Sequence, residues 1–258
     1  MSPRVGSAKA LRARAAQPDD VDGEPRLEPP ARAREIRRMP ILIEAAVESL
    51  DDALAAVAGG ADRLELCADL DAGGTTPTRT LITDVLARVR IPVLVMIRPR
   101  AGDFVYSRAE RERMLDDIGH ALDLGAAGVV LGALDASGRI DASATRDLLG
   151  ASRGRPVTFH RAIDDTPDVL EAIDALASLG VQRVLSSGAS PTALEGADTL
   201  AAMVVRAGDA MRIVAGGGVR AHNVAEIVRR ARVREVHARC GADAERIRSI
   251  RQAATMAA

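Results

Sequence analysis

The chain has 258 residues, of which 47% are hydrophobic and 28% are charged, and its net charge at pH 7 is −1. This length and apolar content are enough to bury a sizeable core in one domain, and no apolar run approaches the roughly 20 residues that span a bilayer. A chain without tryptophan, with three aromatic residues and no basic excess, lacks the stacking side chains and positive surface that nucleic acid requires, so we expect neither a nucleic-acid nor a membrane partner.

The first segment, residues 1–38, is rich in alanine, arginine, proline and acidic residues and shows no apolar periodicity. Such a composition cannot bury enough apolar surface to offset the entropy of ordering. We therefore predict a disordered N-terminal tail over residues 1–38.

From residue 39 to residue 258, apolar strands alternate with amphipathic helices. The predicted strands cover residues 41–46, 62–67, 93–98, 128–132, 156–160, 181–186, 211–216 and 234–238. The predicted helices cover residues 49–58, 78–89, 108–124, 141–152, 167–179, 192–208, 221–231 and 243–254. This alternation predicts an α/β fold in one domain, a (β/α)8 TIM-like barrel. A doubly wound open sheet is the alternative, weakened because the first strand–helix turn lacks a G-x-G-x-x-G motif.

Ionisable residues recur where these strands end, which in such barrels is the functional face. Five strands carry them, with side chains that share the face turned away from the covering helices: Glu44, Glu65, Arg98 with Arg100, His160, and Glu235 with His237. We expect a polar mouth in which the glutamates face the arginines and histidines. Glu44, Glu65, His160 and His237 are the candidate acid–base groups.

A second set of residues is typical of anion binding. Arginine donates charge-assisted hydrogen bonds to anions, and backbone N–H groups at a glycine turn before a helix do the same. The candidates are Arg98, Arg100, Asp103, Arg161, Ser187, Gly188, Gly217 and Gly218.

Metal binding depends on one cysteine. Cys67 ends the second strand, where Met96, His160 and His237 could come within reach, and soft thiolate and thioether ligands favour Cu(I). Cys67 and Cys240 form no disulfide framework, so a reducing cytoplasm is the expected location.

Several motifs resemble those of the CutC family of copper homeostasis proteins. They are Glu65-Leu66-Cys67-Ala68, Gly73-Gly74-Thr75-Thr76-Pro77, Met96-Ile97-Arg98-Pro99-Arg100 with Gly102-Asp103-Phe104, Leu131-Gly132-Ala133-Leu134, Val157-Thr158-Phe159-His160-Arg161-Ala162, Arg183-Val184-Leu185-Ser186-Ser187-Gly188 and Gly216-Gly217-Gly218-Val219. The resemblance implies a TIM-like barrel, a cytoplasmic location, a homo-oligomer (dimer or tetramer) and a Cu(I)-binding role.

The chain departs from that family at one position. The family's metal site is proposed to use one cysteine on each of the first two strands; Cys67 matches the second, but Ala46 stands where the first is expected. A linear two-thiolate Cu(I) site cannot form within one subunit from these positions, so we expect Cu(I) binding by Cys67 with Met96 or a histidine to be weaker.

Two functions follow for the chain. The first is copper binding or trafficking in copper homeostasis. The alternative is a TIM-barrel enzyme or binding protein for a small anionic metabolite, phosphorylated ones included, held by the arginines, histidines and glutamates of the barrel mouth.

Overall fold

A computed structural model describes residues 40–256 as a closed barrel of eight parallel strands, each paired with its neighbour in chain order. The strands are β1 Leu42–Val47, β2 Arg63–Leu66, β3 Val93–Met96, β4 Gly128–Leu131, β5 Val157–Phe159, β6 Arg183–Ser186, β7 Arg212–Gly216 and β8 Glu235–Arg239. The predicted (β/α)8 barrel is confirmed, and the open-sheet alternative is wrong because β1 pairs with β8 as well as with β2.

A helix follows every strand in this part of the chain. The helices are α1 Leu50–Ala58, α2 Arg79–Arg88, α3 Arg108–Asp123, α4 Ala142–Ala151, α5 Val169–Leu179, α6 Ala197–Ala207, α7 Val224–Ala231 and α8 Ala244–Thr255. Short 3₁₀ turns at Leu70–Ala72 and Arg161–Asp165 follow β2 and β5. The helices within residues 40–256 lack the length and apolar content needed to cross a membrane.

Helices α6 and α7 begin later than the sequence pattern predicted. Residues 192–196 form a turn instead, in which the Ala193 N–H donates to the Gly217 carbonyl. Before α7, the Arg220 N–H donates to Asn223 Oδ1. The Ala193 amide is thus bound to the loop that follows β7, and the Arg220 amide is bound to the side chain of the residue that precedes α7. The predicted tail, residues 1–38, lies outside the described residues.

The barrel has two cores because successive side chains of a strand point to opposite faces. The larger core lies between strands and helices and contains, for example, Ile43, Leu64 and Phe159. A small apolar cluster of Cys67, Leu94, Met96 and Val130 is separate from it. The charged side chains described next lie beside this second cluster.

Candidate functional site

The lower layer of the site is a buried network of charges that joins β1, β2, β6 and β8. Arg63 Nη2 donates to Glu235 at 2.7 Å, and Arg63 Nε donates to Glu44. Arg183 lies 2.9 Å from Glu235 and 3.2 Å from Glu44, and it donates to Thr158 Oγ1 at 2.8 Å. Two arginines and two glutamates therefore neutralise each other where the strands begin.

His237 connects this network to the layer above it. Its Nδ1 lies 3.0 Å from Glu44, and its Nε2 lies 3.4 Å from Glu65. Burial alone would lower the pKa of His237, but the carboxylates of Glu65 and Glu44 outweigh it and raise that pKa. Both ring nitrogens of His237 thus face a glutamate, an arrangement that favours the protonated ring.

The two carboxylates beside His237 differ in their environment. Burial would raise the pKa of Glu44, but the hydrogen bond from His237 and the charges of Arg183 and Arg63 lower it. Burial and the nearby Glu44 charge raise the pKa of Glu65. Glu65 Oε1 is buried and has no partner among the described residues. Of the two carboxyl groups, Glu65 is therefore the one that is more readily protonated.

Glu44, Glu65 and His237 lie close enough together to be considered as metal ligands, with one ligand atom from each within 4.8 Å of the others. A histidine ligand must be neutral and offer a lone pair to the metal. Both nitrogens of His237 face carboxylates, which favours the protonated ring. The three residues therefore fit an ion-pair cluster better than a metal centre.

Cys67 lies behind the wall of the cavity, next to Glu65 and Met96. A Cβ atom added to Gly74 would lie 3.3 Å from Cys67 Sγ and 3.5 Å from Met96 Cε, so both sulfur side chains pack on one glycine. Burial and the Glu65 carboxylate raise the pKa of the Cys67 thiol well above its usual value. Without a bound cation this cysteine is a thiol.

The side chain of Cys240 does not contribute to the site around Cys67. Its backbone N–H donates to the Ala46 carbonyl, but its side chain belongs to the core outside the barrel, with Sγ 3.6 Å from the Asp243 carbonyl. Cys240 therefore cannot replace the cysteine that is missing at position 46.

His160 is buried at the end of β5, where Gly132 makes room for its ring. A Cβ atom at Gly132 would lie 2.5 Å from His160 Cε1. The Ala162 N–H donates to His160 Nδ1 at 3.2 Å, so the ring proton lies on Nε2. Burial and the charge of Arg98 lower the pKa of His160 to about 3. His160 is thus a neutral donor, and its Nε2 has no partner within residues 40–256.

Arg98 is 5% exposed and holds the loops around the mouth together. It donates to the carbonyls of Ala72, Gly74 and Gly102, and its guanidinium lies 4.8 Å from the Phe104 ring. In the described part of the chain it forms no ion pair with a carboxylate.

Arg100 and Asp103, two of the predicted anion-binding residues, lie outside the cavity lining. Arg100 bonds to Asp103 at 2.8 Å and to Glu110 at 2.6 Å. Glu110 also forms the capping box of α3 with Ser107. This pair anchors the β3 loop to the start of α3.

The β6 loop, which contains Ser187 and Gly188, already holds an anion, the carboxylate of Asp164. That carboxylate accepts hydrogen bonds from the backbone N–H groups of Ser187 and Ala189. It also accepts hydrogen bonds from the hydroxyls of Ser186 and Ser187. Arg161 donates to Asp164 at 2.9 Å and to Ser187 Oγ at 2.8 Å. The predicted anion site at Ser187 and Gly188 is therefore filled by the protein itself.

The β7 loop differs from the β6 loop. Gly217 and Gly218 have φ values of +108° and +70°, a conformation that favours glycine. The backbone N–H groups of Gly217, Gly218 and Val219 have no hydrogen-bond partner among the residues that the structure describes. All three residues line the cavity.

These parts enclose a cavity of about 300 Å³ at the C-terminal ends of the strands. Of the residues that the sequence singled out, the cavity lining brings together Glu65, Arg98, His160, Arg161, Gly217, Gly218 and His237. Glu44 and Cys67 lie behind the lining, as does Ser187. Half of the remaining lining residues are Leu70, Met96, Phe104, Arg220 and Arg239.

Sequence reasoning missed Arg63, Arg183 and Arg220 as site residues. Arg63 and Arg183 are the first residues of their strands, a position that usually faces solvent. Each nevertheless lies an even number of positions from an inward-facing residue of the same strand. Their spacing of two residues from Glu65 and Leu185 was the sequence signal that both arginines point into the barrel.

The fold and site define a parallel (β/α)8 barrel with a charged cavity at the end of the barrel where such proteins carry their sites. The sequence profile of the CutC family matches residues 41–242, and the chain belongs to that family.

Relatives and solved structures agree with this assignment. A family protein CutC from Xanthomonas campestris pv. campestris is 47% identical over 196 residues, which are 76% of this chain and 82% of that protein. A family protein CutC from Rhizobium meliloti is 45% identical over 200 residues, covering 78% and 81% of the two chains. The crystal structure of the putative copper homeostasis protein CutC from Streptococcus agalactiae superposes with a TM-score of 0.73 at 38% identity, covering 77% of this chain and 98% of that one. Thiamine phosphate pyrophosphorylase from Pyrococcus furiosus shares the fold alone, with a TM-score of 0.57 at 14% identity over 84% of this chain and 96% of that one.

Proposed function

We propose that this chain serves copper homeostasis in the cytoplasm by binding Cu(I) through the Cys67 thiolate and the Met96 thioether. Membership of the CutC family supports the role, and the packing of both sulfur side chains against Gly74 supports the site. Thiolate and thioether are the soft ligands that select Cu(I) over harder cations.

The surroundings of Cys67 favour a cation. The carboxylate of Glu65, which helps raise the thiol pKa, attracts a positive ion placed beside the sulfur. Binding Cu(I) releases the thiol proton, so the apparent affinity should increase with pH. The charge of Cu(I) replaces that of the lost proton next to Glu65.

Ala46 limits the strength of the proposed site. It is buried, lines the cavity and is opposite Glu65 in the β1–β2 register. The family resemblance implies a cysteine at this position, and a second thiolate would replace the weaker thioether. This chain should therefore bind Cu(I) less tightly than a variant that carries Ala46→Cys.

The test is a Cu(I) competition titration against a chelator under reducing conditions. The full chain should bind one Cu(I), Cys67→Ser should lose it, and Ala46→Cys should bind at least tenfold more tightly. Cys240→Ser is the matched control, because this second buried cysteine lies in the core outside the barrel. Binding that survives Cys67→Ser, or that is lost equally in Cys240→Ser, would contradict the proposal.

A further inference from the structure

We propose that the mouth of the cavity is a separate binding site for a small phosphomonoester. The phosphate would accept hydrogen bonds from the backbone N–H groups of the β7 loop and from the Arg220 guanidinium. A hydroxyl or carbonyl oxygen of the same ligand would accept a hydrogen bond from Nε2–H of His160. This inference does not depend on the proposed function, since the Cu(I) ligands proposed above are Cys67 and Met96.

Within residues 40–256 the amides of Gly217, Gly218 and Val219 have no partner, while other groups hold the β7 loop in place. Asn223 Nδ2 donates to the Gly218 carbonyl, the Ala193 N–H donates to the Gly217 carbonyl, and the Arg220 N–H donates to Asn223. The three preceding N–H groups, at Gly217, Gly218 and Val219, are left for a ligand. Consecutive N–H groups before a helix suit a tetrahedral oxyanion.

The charged side chains that line the cavity leave a positive excess, because Glu65 faces His237 and two arginines have no carboxylate partner within residues 40–256. Arg161 is paired with Asp164, and Arg239 is paired with Glu48 and Asp71. Arg98 and Arg220 form no ion pair with any carboxylate in residues 40–256. Taking a guanidinium out of water is costly unless it meets an opposite charge, and an oxyanion in the cavity would supply one.

His160 provides an independent sign of a ligand. Its side chain is 4% exposed, it lines the cavity, and its Nε2 is unpartnered in the described part of the chain. A buried polar group without a partner costs about 1–3 kcal/mol, and a ligand oxygen would remove that cost. The ring cannot serve as an acceptor there, because Nδ1 already accepts from Ala162.

Asp164 explains why the phosphate is assigned to the β7 loop alone. Its carboxylate already occupies the amides of the β6 loop, which lies beside the β7 loop. A second anion on that loop would be repelled. A cavity of about 300 Å³ then has room for one phosphate and a short carbon skeleton.

The first experiment follows the backbone N–H resonances of the ¹⁵N-labelled chain during a titration with inorganic phosphate. The resonances of Gly217, Gly218 and Val219 should shift in a saturable manner, and those of Ser187 and Ala189 should not. Arg220→Gln should weaken binding at least fivefold. Arg212→Gln, at the exposed opposite end of β7, is the matched control and should leave binding unchanged. Unshifted β7 resonances, or equal affinity of the Arg220→Gln chain and the full chain, would overturn the proposal.

The second experiment tests the role of His160 with glycerol phosphate and glycerol. Glycerol phosphate should bind more tightly than inorganic phosphate, and glycerol alone should not bind. In His160→Phe the advantage of glycerol phosphate should disappear while phosphate binding remains. An advantage that persists in His160→Phe would overturn the assignment of Nε2–H. Cys67→Ser should bind both phosphates normally, which separates this test from the copper titration.

Discussion

Single buried arginines of the lower layer contribute strongly to the stability of the folded chain. Arg63 pairs with Glu44 and Glu235, all of them largely withdrawn from water. Arg63→Leu would leave part of two buried carboxylate charges uncompensated. Removing one member of a buried ion-pair network typically costs about 3–5 kcal/mol.

This prediction is checked by urea denaturation of both chains. The control is Arg108→Leu, which removes an arginine that is 88% exposed and pairs with Glu112 on the surface of α3. Exposed pairs of this kind contribute little, so the control should be nearly neutral. Similar losses in the two variants would show that the lower layer is not a tightly coupled network.

His160 should make the chain less stable in acid. Its pKa is lowered to about 3 by burial and by Arg98, whereas in the unfolded chain it is about 6.5. Between these two values the unfolded chain binds a proton that the folded chain does not, so stability falls as pH decreases through this window. The contribution is up to about 1.4 kcal/mol per pH unit.

The measurement compares the free energy of unfolding of the full chain and His160→Phe between pH 7 and pH 4. The variant lacks this titration, so its stability should decline less steeply, while the contributions of Glu44 and His237 largely cancel in the comparison. Parallel curves would mean that His160 titrates normally in the folded chain.

At the scale of the element, Asp164 determines the conformation of the β6 loop. Asp164→Asn keeps the size of the side chain but removes the charge that accepts hydrogen bonds from Ser186, Ser187 and Arg161. We expect a loss of about 1–3 kcal/mol in urea denaturation, since hydrogen bonds to a charged acceptor are the stronger ones. The amides of Ser187 and Ala189 should also exchange hydrogen faster.

A matched control for this prediction is Asp135→Asn. Asp135 accepts the N–H groups of Ser137 and Arg139 in an exposed turn, so water can replace the lost charge interaction. It should destabilise the chain clearly less than Asp164→Asn. The reverse order would refute the view that Asp164 acts as an internal anion.

At the scale of the whole molecule, the contact between β1 and β8 closes the barrel. Residues 42–46 pair with residues 235–239, and Glu235 and His237 complete both charged layers of the site. A chain that ends at residue 233 would lose this closure and leave Glu44 with fewer partners. It should show no cooperative thermal transition and a poorly dispersed NMR spectrum.

A chain shortened only by residues 257–258 is the control for this truncation, because it retains every strand and helix that the structure describes. A cooperative melt of the longer truncation near the temperature of the full chain would show that barrel closure is dispensable.

Much of the fold could be predicted from the sequence because its signals are local. Apolar runs such as Val93–Met96 and capping residues such as Ser107 act within a few residues, so strands and helices were located to within a few positions. The late start of α6 could not be predicted. It depends on a hydrogen bond from Ala193 to Gly217, which is distant in the chain.

The site divides in the same way. The inward direction of Glu44, Glu65 and His237 could be predicted from local rules, because the side chains of a strand alternate and charges avoid the face that helices cover. The sequence also shows that position 46 carries no thiol that could bind a metal together with Cys67. Three features depend instead on the assembled barrel: Asp164 fills the β6 loop, Arg100 turns to Glu110, and His160 keeps its proton on Nε2. The physical reason is that hydrogen-bond partners in a closed barrel come from different strands and loops, and which of them meet is set by register and closure.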